Sequence, residues 1–139
     1  MEVKGIHWIG IRADDWDETV RFYRDVLGLP MRYEGSQPGP AESGVRFAEL
    51  VATNGDFVEI FGANLPESEL FRAPMAGFLV DDVGASRARM EARGAEFVGP
   101  VGRGGPWEWS YFRAPGGAVH QLLGKRGGLQ APARGDLSP

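Results

Sequence analysis

The side chain most able to do chemistry in this sequence is Glu59, a carboxylate within an apolar segment. By the two-residue period of a strand it shares a face with Phe57 and Phe61. A carboxylate buried among such residues is costly unless it is paired or used, which makes Glu59 the first candidate for a catalytic or ligand-binding role. If that face of the strand meets solvent instead, Glu59 is only the polar half of an alternating pattern.

Two further polar side chains are candidate ligand-binding residues. Gln121 shares its face with Val119 and Leu123, and its carboxamide can bond to a ligand, bond to Glu59 or serve a structural role alone. Arg12 ends the first apolar stretch, where its guanidinium can hold a carboxylate or phenolate of a bound molecule. The same guanidinium can equally pair with Glu59, which would itself explain how a carboxylate survives in a cleft.

Tryptophan side chains supply the apolar part of a candidate binding site. Trp107 and Trp109 alternate, so both rings project from one side of their strand. Together with Trp8 they can line an aromatic cleft that stacks on a flat organic ligand. Hydrophobic core or a dimer contact explains the same rings equally well.

The two histidines carry no recognisable catalytic motif. His7 alternates with Trp8, which predicts an outward or interface histidine. His120 precedes Gln121 and takes the opposite face, where a structural role is expected. No Gly-x-Ser-x-Gly element occurs, and the two histidines form no arguable catalytic triad.

Composition excludes several classes of function. The 139 residues include 19 acidic and 15 basic side chains, for a net charge of −4, and the basic residues are spread along the chain, so nucleic acid is not an expected partner. The absence of cysteine excludes disulfides, thiolate metal sites and a cysteine nucleophile. The N-terminal residues resemble neither a signal peptide nor a membrane span, and we expect a soluble, cytoplasmic protein with no membrane partner.

The chemistry-bearing residues belong to short elements joined by tight turns. Asp15 and Glu18 form a capping-box pattern that opens a helix ended by Gly28. The run 102–106 (GRGGP) lacks the Lys-Ser/Thr and following helix of a phosphate loop and is expected to be a mobile loop at the mouth of a cleft. The pattern predicts strands at 5–12, 30–34, 45–52, 57–61, 75–80, 96–98, 107–113 and 118–123, with a second helix at 82–93.

These elements occur twice in the same order. The helix ends Gly28 and Gly94 are 66 residues apart and the strand ends Phe61 and Leu123 are 62 apart, which indicates two related modules. We expect one α+β domain over residues 1–124, with βαβββ modules at about 5–62 and 75–123 and a disordered tail at 125–139. Two curved sheets with helices outside would enclose a central cleft.

The ordered pair of modules resembles the vicinal oxygen chelate superfamily, which includes glyoxalase I, extradiol dioxygenases, fosfomycin-resistance enzymes and bleomycin-resistance proteins. In the first module the similarity lies in residues 21–29 (RFYRDVLGL) and 58–61 (VEIF). In the second it lies in 78–83 (FLVDDV), 91–94 (EARG) and 112–117 (FRAPGG). The resemblance implies the paired βαβββ glyoxalase/bleomycin-resistance fold, and it says less about chemistry because one fold hosts many functions.

The resemblance also implies where metal ligands would lie, because metal-dependent members take them from the first and last strand of each module. Those positions fall on Trp8, Glu59, Met75 and Gln121, and His7 is one residue out of step. An indole has no lone pair to give and a thioether is a poor donor for hard divalent ions. We therefore expect no metal cofactor. A one-residue bulge would turn His7 inward, and His7, Glu59 and Gln121 would then make a plausible three-ligand site.

The sequence thus predicts a metal-free protein that binds a small, partly aromatic organic molecule, similar to the bleomycin-resistance branch. The expected binding residues are Trp8, Arg12, Glu59, Met75, Trp107, Trp109 and Gln121. Two alternatives stay open: a metal-dependent lyase or isomerase of glyoxalase I type, or a dioxygenase-related enzyme, using His7, Glu59 and Gln121, and a metal-free enzyme with Glu59 as general base. A homodimer is expected, since a small two-module chain gains stability by burying more surface.

Overall fold

A computed structural model describes residues 1–36, 44–66 and 68–128. Eight strands and two main helices follow one another in the predicted order, and each module contains one helix after its first strand. The first module comprises β1 (Gly5–Arg12), α1 (Trp16–Arg21), β2 (Met31–Ser36), β3 (Arg46–Val51) and β4 (Phe57–Phe61). The second comprises β5 (Met75–Leu79), α2 (Val83–Ala92), β6 (Phe97–Gly104), β7 (Trp107–Arg113) and β8 (Val119–Lys125).

Both helices begin at an aspartate cap. The Asp15 carboxylate accepts a hydrogen bond from the backbone N–H of Glu18 at 3.0 Å, and Asp82 accepts one from Ala85 at 2.8 Å. The first helix differs from the prediction of one regular helix to Gly28, because after α1 it widens into a π-helical turn at Phe22–Val26. Backbone N–H groups there bond five residues back, as in the 2.9 Å contact between Leu27 N and the carbonyl of Phe22.

All eight strands form one sheet in the order β2-β3-β4-β1-β5-β8-β7-β6. Within each module the first and last strands pair in parallel, β1 with β4 and β5 with β8. The modules join through the antiparallel pair β1–β5. This arrangement confirms the α+β class and the paired βαβββ topology predicted from the sequence.

The sheet separates an inner apolar cluster from two smaller cores beneath the helices. The inner cluster includes Trp8, Phe57, Met75 and Trp107, all buried. On the outer face one core lies beneath the first helix, around Val20 and residues of β3 and β4, and the other lies beneath α2. The inner face is therefore where side chains of both modules meet.

Of the glycine-rich run 102–106 predicted as a mobile loop, residues 102–104 belong instead to strand β6, and residues 105–106 form the turn to β7. Gly102 pairs with Trp109 and Gly104 with Trp107 across the β6–β7 ladder. A Cβ atom at Gly102 would lie 2.3 Å from Trp109 Nε1, so the glycine makes room for an indole lying flat over its strand. The glycines thus serve close packing, and β6 runs six residues beyond the predicted end at residue 98.

The predicted disordered tail falls almost wholly outside the described residues, which end at 128. Strand β8 continues to Lys125, one residue into that predicted tail. No helix in the described part of the chain is long and apolar enough to cross a bilayer.

Candidate functional site

A cleft of about 320 Å³ opens on the inner face of the sheet, with walls from both modules. Its size lies at the lower end of the range usual for small-molecule sites. The first module contributes Trp8, Glu49, Phe57, Glu59 and Phe61, the connector contributes Leu65 and Phe71, and the second module contributes Gly104, Trp107, Trp109, Tyr111, Gln121 and Leu123.

The indole of Trp8 lies across the junction of the two modules, where glycines leave it space. A Cβ atom at Gly77 on β5 would lie 2.1 Å from Trp8 Nε1, and one at Gly10 would lie 2.2 Å from Trp8 Cζ3. Trp8 is 6% exposed. Because neither glycine can be replaced without moving the ring, these two positions fix the floor of the cleft.

Trp8 and Gln121 are joined by a buried hydrogen bond. The indole Nε1 of Trp8 donates to Oε1 of Gln121 at 2.8 Å. This bond satisfies both groups in a nearly solvent-free place, since Gln121 is 5% exposed. Because Gln121 also lines the cleft, its amide nitrogen is a candidate hydrogen-bond donor to a ligand.

Two carboxylates stand side by side on the wall from the first module. Glu49 pairs directly with Glu59 in the β3–β4 ladder, and both line the cleft. Like charges opposite each other are unfavourable, and Arg32 offsets the charge of Glu49 at 3.3 Å between Nε and Oε1. Sequence reasoning missed Glu49, although it alternates with Phe47 and Val51 on one face of the strand predicted at 45–52.

The wall from the second module is aromatic. Trp107, Trp109 and Tyr111 alternate along β7 and all line the cleft, as their two-residue spacing predicts. The ammonium of Lys125 lies 5.4 Å from the ring centre of Trp107 and adds a cation–π contact. The two walls therefore differ in kind, one acidic and one aromatic.

The connector between the modules covers part of the cleft through Phe71. Its ring lies 4.8 Å from Phe61 and 6.4 Å from Trp8 between centroids. The connector is tied to β7 by a bidentate ion pair in which Arg113 donates to both carboxylate oxygens of Glu69 at 2.7 and 3.0 Å. Hydrogen bonding from Arg113 holds the pKa of Glu69 below its usual range.

The sequence predicts an outward orientation for His7, but the structure shows this side chain buried. The β1–β5 register shifts between Ile6 and Trp8, and the bulge leaves His7 only 1% exposed. Its ring stacks on Trp107 at 5.7 Å and meets Phe57 edge-on at 5.5 Å. His7 Nδ1 lies 3.2 Å from an Asp56 carboxylate oxygen. The bulge thus buries His7 as well as Trp8, and His7 lies behind the cleft, not among its lining.

Two of the predicted binding residues lie away from the cleft surface. Met75 is completely buried in the inner cluster. Arg12 lies beyond Phe71, where its Nη2 donates to the carbonyl of Ala63 at 2.8 Å and its Nη1 lies 3.6 Å from Asp14. Arg12 therefore contacts the connector and Asp14. The Arg12–Glu59 ion pair considered from the sequence is not formed.

The residues at the metal-ligand positions implied by the resemblance do not fit a divalent ion. The Gln121 oxygen already accepts from Trp8, whose indole has no lone pair to offer, and Met75 is enclosed. The alternative triad is not assembled either, because His7 does not line the cleft that holds Glu59 and Gln121. Within residues 1–36, 44–66 and 68–128, no three His, Asp or Glu side chains are grouped to bind a metal.

Comparison with known families gives a match along most of the chain. The family model described as Glyoxalase/Bleomycin resistance protein/Dioxygenase superfamily matches residues 5–122. No curated protein sequence matches the chain at a significant level.

Several solved structures share the fold at low sequence identity. A methylmalonyl-CoA epimerase variant from Streptomyces coelicolor, in complex with 2-nitronate-propionyl-CoA, is 21% identical, with a TM-score of 0.68 over 94% of this chain and 100% of that one. Methylmalonyl-CoA epimerase from Mycobacterium tuberculosis is 24% identical, with a TM-score of 0.67 over 87% of each chain. A hypothetical protein from Bacillus halodurans is 16% identical, with a TM-score of 0.70 over 92% of this chain and 97% of that one.

Proposed function

The chain belongs to the glyoxalase/bleomycin resistance protein/dioxygenase superfamily, and we propose that it binds a small, flat, partly aromatic organic molecule in its cleft without a metal ion. The observation that carries this proposal is the 2.8 Å hydrogen bond from Trp8 to Gln121. It joins two positions where metal-dependent members of the family place ligands, and it puts an indole ring there. A site built in this way favours a flat apolar ligand over a hydrated cation.

The two walls define the chemistry of the ligand. Its flat face would stack on the half-buried ring of Trp109, beside the buried ring of Trp107, and offset or edge-to-face contacts of this kind contribute about 0.5–1.5 kcal/mol per ring pair. Its edge would carry hydrogen-bond donors toward Glu49 and Glu59 and an acceptor toward the amide of Gln121. The best fit is a bicyclic heteroaromatic compound with an N–H group.

Ligand-observed NMR with indole, benzimidazole, quinoline and naphthalene tests this proposal. The expected result is saturation transfer to the N–H-bearing rings, strongest for benzimidazole and indole and weakest for naphthalene. Trp109→Ala should weaken this binding at least about tenfold, because it removes one stacking face. Trp16 is the first residue of α1 and packs against the outer core, outside the cleft, so Trp16→Phe is the control and should bind like the parent. Absence of binding by every ring, or loss in both variants alike, would contradict the proposal.

A second candidate function is a metal-free enzyme in which Glu59 acts as general base. The observation that favours it is the direct pairing of Glu49 with Glu59 on the cleft wall. Two carboxylates beside an aromatic surface can remove and return a proton on a carbon acid held against the tryptophans. One methylmalonyl-CoA epimerase that shares the fold is a complex with 2-nitronate-propionyl-CoA and another is a complex with methylmalonyl-CoA, which makes a thioester one class of carbon acid to test.

Hydrogen–deuterium exchange separates binding from this enzymatic function. In D2O, 2-tetralone and methylmalonyl-CoA serve as carbon acids, and exchange at the acidic carbon is followed by proton NMR. Enzyme activity predicts exchange that depends on protein concentration and falls at least about a hundredfold in Glu59→Gln, the usual contribution of general-base catalysis. If deuterium exchange at the acidic carbon of both compounds is no faster than in buffer, the enzymatic function is contradicted and ligand binding without turnover is the function that stays.

The metal-dependent alternative requires donors that this cleft lacks. A lyase or isomerase of glyoxalase I type would need an imidazole or carboxylate at the positions of Trp8 and Met75. Retention of one metal ion per chain by the parent protein would restore this alternative.

We also propose that the protein forms a homodimer through the outer face of β1. Ile6 and Ile9 are 52% and 42% exposed there, and they border a small apolar groove with Leu29 and Val58. Contiguous apolar surface of this kind is typical of contacts between copies. Light scattering should give twice the 15.1 kDa chain mass. Ile6→Lys should then give monomers, and a monomeric parent protein at micromolar concentration would exclude the dimer.

A further inference from the structure

A second concavity, of about 540 Å³, lies next to the aromatic cleft and is lined by arginines. Arg12 comes from β1, and Arg72 and Ser68 come from the connector. Phe71 lines both this concavity and the cleft, so a single molecule can extend from one into the other past its ring.

Arg12 brings a guanidinium that its protein contacts only partly satisfy. Its Nη2 donates to the carbonyl of Ala63, and its Nη1 lies 3.6 Å from Asp14. Its Nε is buried and has no hydrogen-bond partner among the described residues. Asp14 is 92% exposed in its side chain, so solvent screens most of its attraction for Arg12.

Arg72 adds a second guanidinium group to the lining of the concavity. Within the described part of the chain it makes no hydrogen bond and no ion pair within 4 Å, and its positive charge acts on the Glu69 carboxylate only from a longer distance. The nearby carboxylate of Glu69 is already held by Arg113 through two hydrogen bonds. Among the described residues that line the concavity, Arg12 and Arg72 are positive and Asp14 is negative, so their charge balance is positive on a protein whose net charge is −4.

Phe71 lies between the concavity and the cleft, and its backbone conformation is unusual. It is the one non-glycine residue of the described chain with a positive φ, at 63°. A bulky residue in the left-handed region costs of order 1 kcal/mol or more, and such strain is typical of residues that surround a ligand. In this conformation the Phe71 ring lies over Gly10, between Trp8 and the two arginines.

We propose that Arg12 and Arg72 bind an acidic group, a carboxylate or a phosphate, on an arm of the molecule whose flat part occupies the aromatic cleft. This inference rests on the proposed binding function and specifies its ligand class: an aromatic acid with a short flexible arm. Planar guanidinium groups suit this task because they donate two parallel hydrogen bonds to a carboxylate or phosphate.

Matched acids and amides test the anion subsite independently of the cleft. Isothermal titration calorimetry compares indole-3-acetate, indole-3-propionate and indole-3-butyrate with their uncharged carboxamides. The expected result is that at least one acid binds about tenfold more tightly than its amide, and that 0.5 M NaCl reduces this ratio. Arg72→Gln should bring the ratio close to one. Arg93→Gln, at the end of α2 on the outer face, is the control and should leave the ratio unchanged.

The possible outcomes separate the two proposals. Equal affinity of every acid and its amide, or an acid preference that survives in Arg72→Gln, overturns the anion subsite while leaving the aromatic cleft in place. If neither acids nor amides bind, the proposed binding function fails and the subsite with it. A phenylalkyl phosphate series in place of the acids distinguishes a phosphate arm from a carboxylate arm, since the tighter series identifies the group.

Discussion

The two modules of this protein have the same order of strands and helix, but they carry different side chains at equivalent positions. In the hairpin of the first module Glu49 lies opposite Glu59, and in the hairpin of the second Tyr111 lies opposite Gln121. Both pairs line the cleft, and each residue of the second pair lies 62 residues after its counterpart. The same fold thus places an acidic pair on one wall and an aromatic and amide pair on the other.

This difference between the modules makes the proposed binding site asymmetric. A symmetric cleft would repeat one set of contacts, whereas this one can orient a ligand by its polar edge and its flat face at once. The bond between Trp8 of the first module and Gln121 of the second fixes the spacing of the two walls. The chemistry of the cleft therefore depends on the side chains that differ between the modules and not on the fold that the modules share.

The largest expected effect comes from filling the space where the modules meet. Gly77→Ala places a Cβ atom about 2.1 Å from Trp8 Nε1, which forces the indole from Gln121 and separates the walls. We expect a loss of about 2 kcal/mol in the free energy of unfolding, typical of overpacking, measured by urea denaturation. Gly84→Ala is the control, because its nearest neighbour would be 3.6 Å away in α2. Equal stability of the two variants would show that the junction is not rigid.

A smaller effect is expected from removing the charge balance of the acidic wall. Glu49→Gln leaves the Arg32 guanidinium, 25% exposed, without its carboxylate, and should cost about 1 kcal/mol in unfolding free energy. The control is Glu34→Gln, which breaks an exposed pair with Arg46 whose side chains are 45% and 49% exposed, and should cost less than about 0.5 kcal/mol. If Glu49→Gln raises stability instead, repulsion between the two carboxylates outweighs the ion pair.

The smallest effect concerns the tether between the connector and the second module. Arg113 lowers the pKa of Glu69 by hydrogen bonding, so the folded carboxyl titrates below its unfolded value of about 4.5. The stabilisation is therefore present above that unfolded value and is lost as the pH falls through the lowered folded pKa. Arg113→Gln should raise the pKa of Glu69 toward its ordinary value in a carboxyl-detected NMR titration. An unchanged titration would show that the ion pair does not form in solution.

The fold was predictable because the signals for it are local. Caps at Asp15 and Asp82 and the glycines that end both helices occur in the same order in each half, and period-two faces correctly brought Glu59 and Gln121 to one surface. The same period indicates Glu49, which alternates with Phe47 and Val51 on one face of the strand predicted at 45–52.

Other features of the site depend on contacts that no local pattern records. The bulge that buries His7 arises from the register between β1 and β5, which lie about 70 residues apart in the chain. The inclusion of residues 102–104 in β6 depends on Trp109 lying over Gly102, a contact between strands. The positive φ of Phe71 and the enclosure of Met75 likewise follow from tertiary packing, which overrides local propensity.

The most direct test of the account is the metal content of the protein, purified without an affinity tag or chelator. It is incubated with excess zinc, nickel, manganese and iron salts, desalted and measured by elemental analysis, beside Glu59→Gln and the surface control Glu34→Gln. Because Trp8 and Gln121 satisfy each other where metal ligands would lie, we predict no retained equivalent of any metal in all three proteins. Near one equivalent per chain of a single metal, kept by the control and lost in Glu59→Gln, would contradict the metal-free aromatic cleft.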